Sequence, residues 1–281
     1  QPVAAPLAPG RAAAAAPLPP TAEQPQAAES WLPGPLRDAQ NFVYENVVRP
    51  FADPSREKLL PDIPAQIQGK EKPTLVLSLD GTLIHSEWTR QYGWRYVKRP
   101  GLDQFLASLA PHYELVLWTE YQNTAEPVVE RLDPRRLFRH RLYRDATTYT
   151  KGTHVKDLTA LNRNLDKVLI IDTSRESFQL QPDHGIVVPA YEAGADPQKE
   201  DRALTKLIPF LQYTAIMHAA GKHSNFAEQL KPYEGVDIGD AFEKKLDELR
   251  KSGLLPKLSQ RGSVGGPRGP TLWDRLRSKK E

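Results

Sequence analysis

The chain has 281 residues, a length suited to one globular domain of roughly 150–200 residues with flanking segments. Its 38 basic and 35 acidic residues leave a formal net charge of +3, a balance too even to indicate a nucleic-acid partner. It has no cysteine, which excludes disulfides and thiolate metal sites.

No stretch of the sequence reaches the roughly 18 consecutive apolar residues that a membrane span requires. Residue 1 is Gln and the single methionine is Met217. We therefore expect a processed or truncated product, and we expect any membrane anchor to lie upstream of this chain.

Composition and periodicity divide the chain into five predicted segments: a disordered Ala/Pro-rich linker (1–36), an N-terminal helix and extended wrap (37–73), a core domain (74–220), C-terminal helices (221–258) and a basic flexible tail (259–281). For the tail, contact with an anionic lipid surface is the alternative to disorder. The core alternates apolar strands with amphipathic helices. The predicted strands are 74–80, 113–119, 168–172 and 185–188. The predicted helices are 101–110, 123–132, 156–163 and 200–219, with a further amphipathic helix at 238–252.

Residues 141–156 alternate in polarity and contain Lys151-Gly152, a turn signal, which together predict a β-hairpin. Nearly all-apolar strands that alternate with helices predict an α/β fold. We expect a three-layer parallel sheet with helices on both faces and this hairpin as an insertion.

Three predicted strands end in polar residues, namely Asp80, Thr119 and Asp172. In parallel sheets, ligands bind beyond the carboxyl ends of the strands. We therefore expect a functional site at this edge, although strands that end in ordinary polar turns are the plainer explanation.

The residues at these strand ends resemble the haloacid-dehalogenase-like phosphatases, and specifically their carboxy-terminal-domain phosphatase branch. The matching positions are Ser78-Leu79-Asp80-Gly81-Thr82, His85-Ser86, Thr119, Lys156 and Asp172. In that family, the first motif position is an aspartate nucleophile and the position of Asp80 is a general acid and base. The position of Lys156 neutralises phosphate, and that of Asp172 binds a metal.

Ser78 stands where this resemblance requires aspartate. A covalent aspartyl-phosphate needs a carboxylate that is ionised at neutral pH, whereas a serine hydroxyl must first lose its proton to a base. The same change removes a negative ligand from a Mg²⁺ site, and Thr173 stands where the family has Asn or Asp. We therefore expect no catalytic residue and no favoured Mg²⁺ site, with Asp80 and Asp172 as weak metal candidates.

A narrower resemblance covers about residues 40–250 and points to the receptor subunits of the mitochondrial presequence translocase. The matching segments are 84–88, 93–95, 98–101, 156–158, 161–163, 170–172, 180–182 and 207–211. That resemblance implies a mitochondrial inner-membrane protein whose main domain faces the intermembrane space. It would receive presequence peptides and pass them to channel-forming subunits.

Three functions stay open at this point: a non-enzymatic presequence receptor, a Mg²⁺-dependent protein serine/threonine phosphatase with an unusual nucleophile, and a structural subunit. A presequence is a basic amphipathic helix, so its receptor needs an apolar groove flanked by carboxylates. Which carboxylates share a face is unknown from the sequence. We take the hairpin at 141–156 as a candidate docking surface for the channel subunits.

Several roles also have two interpretations. Lys156 is expected to serve as a structural partner of Asp80 or Asp172, rather than as a phosphate ligand. Thr119 could hold a phosphate or cap the helix that follows. Trp88, Trp94 and Trp118 are expected in the core or a flap, with an aromatic peptide groove as the alternative.

Overall fold

In a computed structural model of the chain, we describe residues 54, 57–120, 122–150, 153–221 and 225–251. The strands are β1 (Thr74–Leu77), β2 (Ile84–Thr89), β3 (Gly93–Lys98), β4 (Glu114–Trp118), β5 (Phe138–Leu142), β6 (Thr148–Thr150), β7 (Thr153–Val155), β8 (Val168–Asp172) and β9 (Gly185–Val187). The α-helices are α1 (Leu102–Leu109), α2 (Gln122–Leu132), α3 (Ala203–Ala219), α4 (Phe226–Leu230) and α5 (Ile238–Lys251). The predicted linker at 1–36, the helical part (37–52) of the predicted segment 37–73, and the tail at 259–281 lie outside the described residues.

Five parallel strands form the central sheet in the order β5-β4-β1-β8-β9, which confirms the predicted fold class. All side chains of β1 and β8 are buried, because helical layers cover both faces of the sheet. The predicted strand at 74–80 is too long. The chain leaves the sheet after Leu77 and turns back, so that the carbonyl of Leu79 accepts hydrogen bonds from the amides of Leu83 and Ile84.

The two faces of the sheet carry separate hydrophobic cores. On one face, α1, α2, α3, α4 and α5 bury their apolar stripes, which include Phe105, Phe210 and Phe242. On the other face, short 3₁₀-helices supply Leu158, Leu161 and Phe178, and an extended segment supplies Leu59 and Leu60.

Two boundaries differ from the predicted helices. The predicted helix at 156–163 is a 3₁₀-helix at Leu158–Leu161, where Asn162 takes a left-handed conformation that ends it. The helix expected from 200 begins at Ala203. None of the helices in the described part of the chain is both long enough and apolar enough to cross a membrane.

The predicted hairpin within 141–156 is confirmed, but it begins later, at Thr148. Its antiparallel strands are β6 and β7, whereas Leu142 already belongs to β5 of the main sheet. A longer hairpin, β2–β3, was missed by sequence reasoning. It projects three exposed aromatic side chains, those of Trp88, Tyr92 and Trp94. Trp88 and Trp94 therefore lie in a flap, one of the two locations predicted for them. Trp118 is fully buried.

An extended segment, residues 57–73, is held against the sheet by Glu114 at the start of β4. Arg163 donates to both carboxylate oxygens of Glu114, at 2.7 and 3.0 Å, and to the carbonyl of Pro61 at 2.9 Å. His140 on β5 lies 3.0 Å from the same carboxylate. Burial raises the pKa of Glu114, but His140 and Arg163 outweigh burial and lower this pKa to about 2.

We predict that Glu114→Gln loses about 2 kcal/mol of unfolding free energy at pH 7, because the buried Arg163 guanidinium then lacks its anion. The pKa of Glu114 is depressed from 4.5 to about 2, so its stabilisation is complete above pH 4.5 and is lost as the pH falls towards 2. Urea unfolding of both proteins from pH 7 to pH 3 should show the difference shrinking. A difference that is constant with pH would contradict this assignment.

Candidate functional site

The predicted site residues lie at the carboxyl ends of three neighbouring strands, β4, β1 and β8. Ser78, Thr119 and Asp172 stand on these adjacent strand ends, and all three are buried. Lys156 follows β7 and is anchored by its amide, which donates to the carbonyl of Ser177 at 2.7 Å. The structure joins Ser78, Lys156 and Asp172 in one hydrogen-bonded cluster and leaves Thr119 out of it.

Lys156 forms the centre of this cluster. Its ammonium group donates to Asp172 Oδ2 at 2.6 Å and to Ser78 Oγ at 2.5 Å. The Ser78 hydroxyl in turn donates to Asp172 Oδ2. The ion pair is nearly sealed from solvent, since the side chains of Lys156 and Asp172 are 6% and 7% exposed. Of its two predicted partners, Lys156 therefore contacts Asp172.

The carboxylate of Asp172 is saturated with donors. Besides Lys156 and Ser78, the Ser177 hydroxyl donates to Oδ2 at 2.5 Å, and the amide of Thr173 donates to Oδ1 at 2.6 Å. Burial raises the pKa of Asp172, but the charge of Lys156 and these hydrogen bonds outweigh it and hold the pKa below its usual value. Asp172 is therefore an ionised structural carboxylate.

Asp80 takes no part in the hydrogen bonds of this cluster and bonds instead to the base of the β2–β3 hairpin. Its Oδ1 accepts from the amide of Ser86 at 3.1 Å and from the Ser86 hydroxyl at 2.6 Å, and the Asp80 side chain is exposed. The turn between Asp80 and Thr82 depends on Gly81, whose φ of 69° is left-handed. A Cβ at Gly81 would also lie only 3.2 Å from the Thr173 side chain.

Thr119 continues the sheet hydrogen bonding, since its amide donates to the carbonyl of Leu142 at 3.0 Å. Its hydroxyl bonds to none of the residues that the structure describes, and α2 begins three residues later. Both predicted roles of Thr119 stay predictions. His85 Nδ1 lies 3.2 Å from the carbonyl of Tyr191, which gives that histidine a hydrogen-bonding role.

The donor set does not fit a magnesium ion. Mg²⁺ takes oxygen ligands in near-ideal octahedral geometry, including one or two carboxylates that are free to bind it. The oxygens of Asp172 already accept five hydrogen bonds, Asp80 turns towards Ser86, and Ser78 brings no charge. Across the described residues, no three carboxylate, His or Cys side chains cluster as a metal site would need.

Sequence reasoning missed two groups that shape the site. Ser177 completes the shell of Asp172, but a serine five residues beyond a strand end carries no signal of its own. Arg99 is buried, donates to both oxygens of Asp201 at 2.8 and 2.9 Å, and also binds the carbonyls of Gly81 and Thr82. A fully buried arginine beside the motif loop could have been suspected only from its place within the resemblance.

The profile of the NLI interacting factor-like phosphatase family matches residues 73–221. The chain is 48% identical over 174 residues to the mitochondrial import inner membrane translocase subunit TIM50 of Phytophthora infestans, covering 61% of this chain and 42% of that protein. It is 42% identical over 217 residues to the TIM50 of Gibberella zeae, covering 76% of this chain and 39% of that protein. It is 37% identical over 227 residues to the TIM50 of Danio rerio, covering 79% of this chain and 57% of that protein.

The chain thus spans between 39% and 57% of the length of these three relatives. Among solved structures, Fcp1, an essential RNA polymerase II CTD phosphatase, is 17% identical with a TM-score of 0.47, and the overlap covers 60% of this chain and 72% of that chain.

We predict that Lys156→Met lowers the unfolding free energy by about 3 kcal/mol or more, because it leaves the Asp172 carboxylate buried without a counter-ion. Adding Asp172→Asn should restore part of that loss. Lys98→Met is the matched control, since Lys98 pairs with Asp103 at an exposed site and should cost no more than about 1 kcal/mol. Urea unfolding at pH 7 measures all four proteins, and equal losses for the two lysine variants would contradict a stabilising cluster.

Proposed function

We propose that this chain, which belongs to the NLI interacting factor-like phosphatase family, serves as a non-enzymatic presequence receptor of the mitochondrial inner-membrane translocase. Its relatives that are named TIM50 support the translocase part of the proposal. We further propose that its main domain, residues 74–220, faces the intermembrane space and passes presequences to channel-forming subunits.

The closed cluster of Ser78, Lys156 and Asp172 carries the non-enzymatic part of the proposal. A nucleophile must present an ionisable atom to the substrate, and the Ser78 hydroxyl instead donates to a buried carboxylate. Lys156 is already paired with Asp172, and it donates to the Ser78 oxygen instead of accepting the hydroxyl proton. Asp80, in the position of the general acid, has no activated partner to assist.

A groove beside β9 has the properties that a presequence requires. Its volume is about 430 Å³, and apolar side chains form its floor, among them Ile186, Leu207 and Leu230. Val187 and Val236 border the groove and are about half exposed, at 51% and 55%. This opening accepts a few side chains from the apolar face of an amphipathic helix.

Carboxylates border the same groove. Asp183, Glu234 and Asp237 line it together with only two basic residues, Arg175 and Lys231. Several other carboxylates are engaged elsewhere in the fold: Glu114 with Arg163, Asp133 with its own turn, Asp196 with the loop amides after it, and Asp201 with Arg99. The groove therefore combines apolar surface with carboxylates, as a basic helix needs.

The β2–β3 hairpin is the better-exposed candidate for docking on the channel subunits. Trp88 and Trp94 face each other across its strands and are 59% and 56% exposed, whereas β6 and β7 are half-buried. Exposed aromatic patches of this kind mark protein interfaces. We therefore transfer the docking proposal from residues 141–156 to this hairpin.

Binding of a synthetic presequence, a basic amphipathic helical peptide, tests the groove. We expect binding in about 50 mM salt that weakens in about 500 mM salt, because exposed charges are screened. Asp183→Asn with Glu234→Gln should weaken binding about fivefold. Glu243→Gln with Glu248→Gln removes the same charge from the exposed side of α5 and should leave the affinity unchanged. Peptide that never binds at low salt, or equal effects of both pairs, would sink the groove assignment.

A phosphatase assay tests the absence of catalysis. With a generic phosphate ester and Mg²⁺, we expect the wild-type chain to show no more turnover than Asp80→Asn, because neither protein has an ionised nucleophile at position 78. Intact-mass measurement after incubation should show no added phosphate. Turnover that disappears in Asp80→Asn, or a phosphorylated Ser78, would instead establish the enzyme.

A further inference from the structure

Six arginines crowd into the fourteen residues that join the end of α2 to the loop after β5: Arg131, Arg135, Arg136, Arg139, Arg141 and Arg144. Five of them are exposed and Arg141 is half-buried. Within the described part of the chain, none of the six forms an ion pair. This arginine edge is thus strongly positive in a protein of nearly balanced charge.

The backbone fixes the position of these side chains. Asp133 is buried, and its two carboxylate oxygens accept from the amides of Leu137 at 2.8 Å and Phe138 at 2.9 Å. This rigid turn holds Arg136 at a φ of 52°, a left-handed conformation that costs a non-glycine residue about 1 kcal/mol. Asp133 forms no ion pair with the arginines, since its carboxylate bonds to the amides of its own turn.

Three arginines share one shallow depression. Arg136, Arg139 and Arg141 line an open space of about 720 Å³ beside β5, together with Glu130 as its exposed carboxylate. β5 is the outermost strand of the sheet, and no strand in the described residues covers its outer side. The alternation of the strand directs the backbone N–H and C=O of Arg141 to that open side.

The residue type indicates the ligand chemistry. No lysine occurs between Lys98 and Lys151, so every cation of this edge other than histidine is a guanidinium. A guanidinium presents a planar fork that matches a carboxylate with two parallel hydrogen bonds, which an ammonium cannot do. Charged edges also discourage pairing between copies of a protein, but that purpose does not require arginine.

We propose that the arginine edge binds an acidic, extended segment of a partner protein, which lies beside β5 as an added strand. Strand addition uses the open backbone of β5, and alternate acidic side chains of the segment reach Arg139 and Arg141. This proposal does not rest on the presequence proposal. A basic presequence would be repelled here, and the groove beside β9 lies at the opposite edge of the sheet, roughly 19 Å away over four strand spacings.

A labelled peptide of alternating Glu and Thr tests the proposal by fluorescence anisotropy with the whole chain. We expect salt-sensitive binding that falls about tenfold in Arg139→Glu with Arg141→Glu. Arg202→Glu with Lys244→Glu makes the same change of charge at exposed sites away from this edge and from the groove beside β9, and the affinity should fall less than about twofold. Equal losses in both pairs would reduce the effect to net charge and overturn the proposal, as would absence of binding.

Two further measurements separate the strand from its alternatives. Arg139→Lys with Arg141→Lys keeps the charge but loses the fork, so we expect intermediate affinity, and wild-type affinity would contradict guanidinium recognition. The same peptide with alternate N-methylated amides should bind at least about tenfold more weakly, since it cannot pair with β5. Vesicles of phosphatidylcholine and phosphatidylglycerol should not bind the protein through these arginines. If the vesicles bound the wild type but not Arg139→Glu with Arg141→Glu, and the peptide did not bind, this edge would be assigned to a membrane surface instead.

Discussion

The ion pair between Lys156 and Asp172 is the constraint on which the cluster at the carboxyl ends of the strands depends. Two charges with side chains 6% and 7% exposed are stable only when every donor and acceptor around them is used, and the hydroxyls of Ser78 and Ser177 complete that requirement. Ser78 thus has a structural role, because its hydroxyl donates to the Asp172 carboxylate, whereas a carboxylate at this position would repel it.

The central sheet separates two charged surfaces of opposite sign. One edge, at β9, borders an apolar groove with carboxylates, and the other edge, at β5, carries guanidinium groups. The two proposed partners, a basic presequence and an acidic segment, would therefore bind at opposite edges and would not compete. A parallel sheet suits such an arrangement because its buried centre holds the two edges at a fixed separation.

Much of the fold could be predicted because hydrophobic periodicity is a local property. The apolar strands at 113–119 and 168–172 and the amphipathic helices at 101–110 and 238–252 lie where their patterns place them. The β2–β3 hairpin was missed because its tryptophans, which are exposed, are residues expected in a core. The strand β5 was missed because Arg139, His140 and Arg141 interrupt its apolar pattern. Ser177 and the groove beside β9 depend on residues far apart in the chain, which a pattern of neighbours does not reveal.

Arg99 ties together parts of the molecule that are distant in sequence. Its guanidinium joins the carbonyls of Gly81 and Thr82 to Asp201 just ahead of α3, and Asp80 in the same turn is bonded to Ser86 in β2. Both strands of the hairpin are therefore tied at their root to the turn that follows β1, β2 through Ser86 and β3 through Arg99. The turn that carries Asp80 thus also determines where the aromatic tip projects from the sheet.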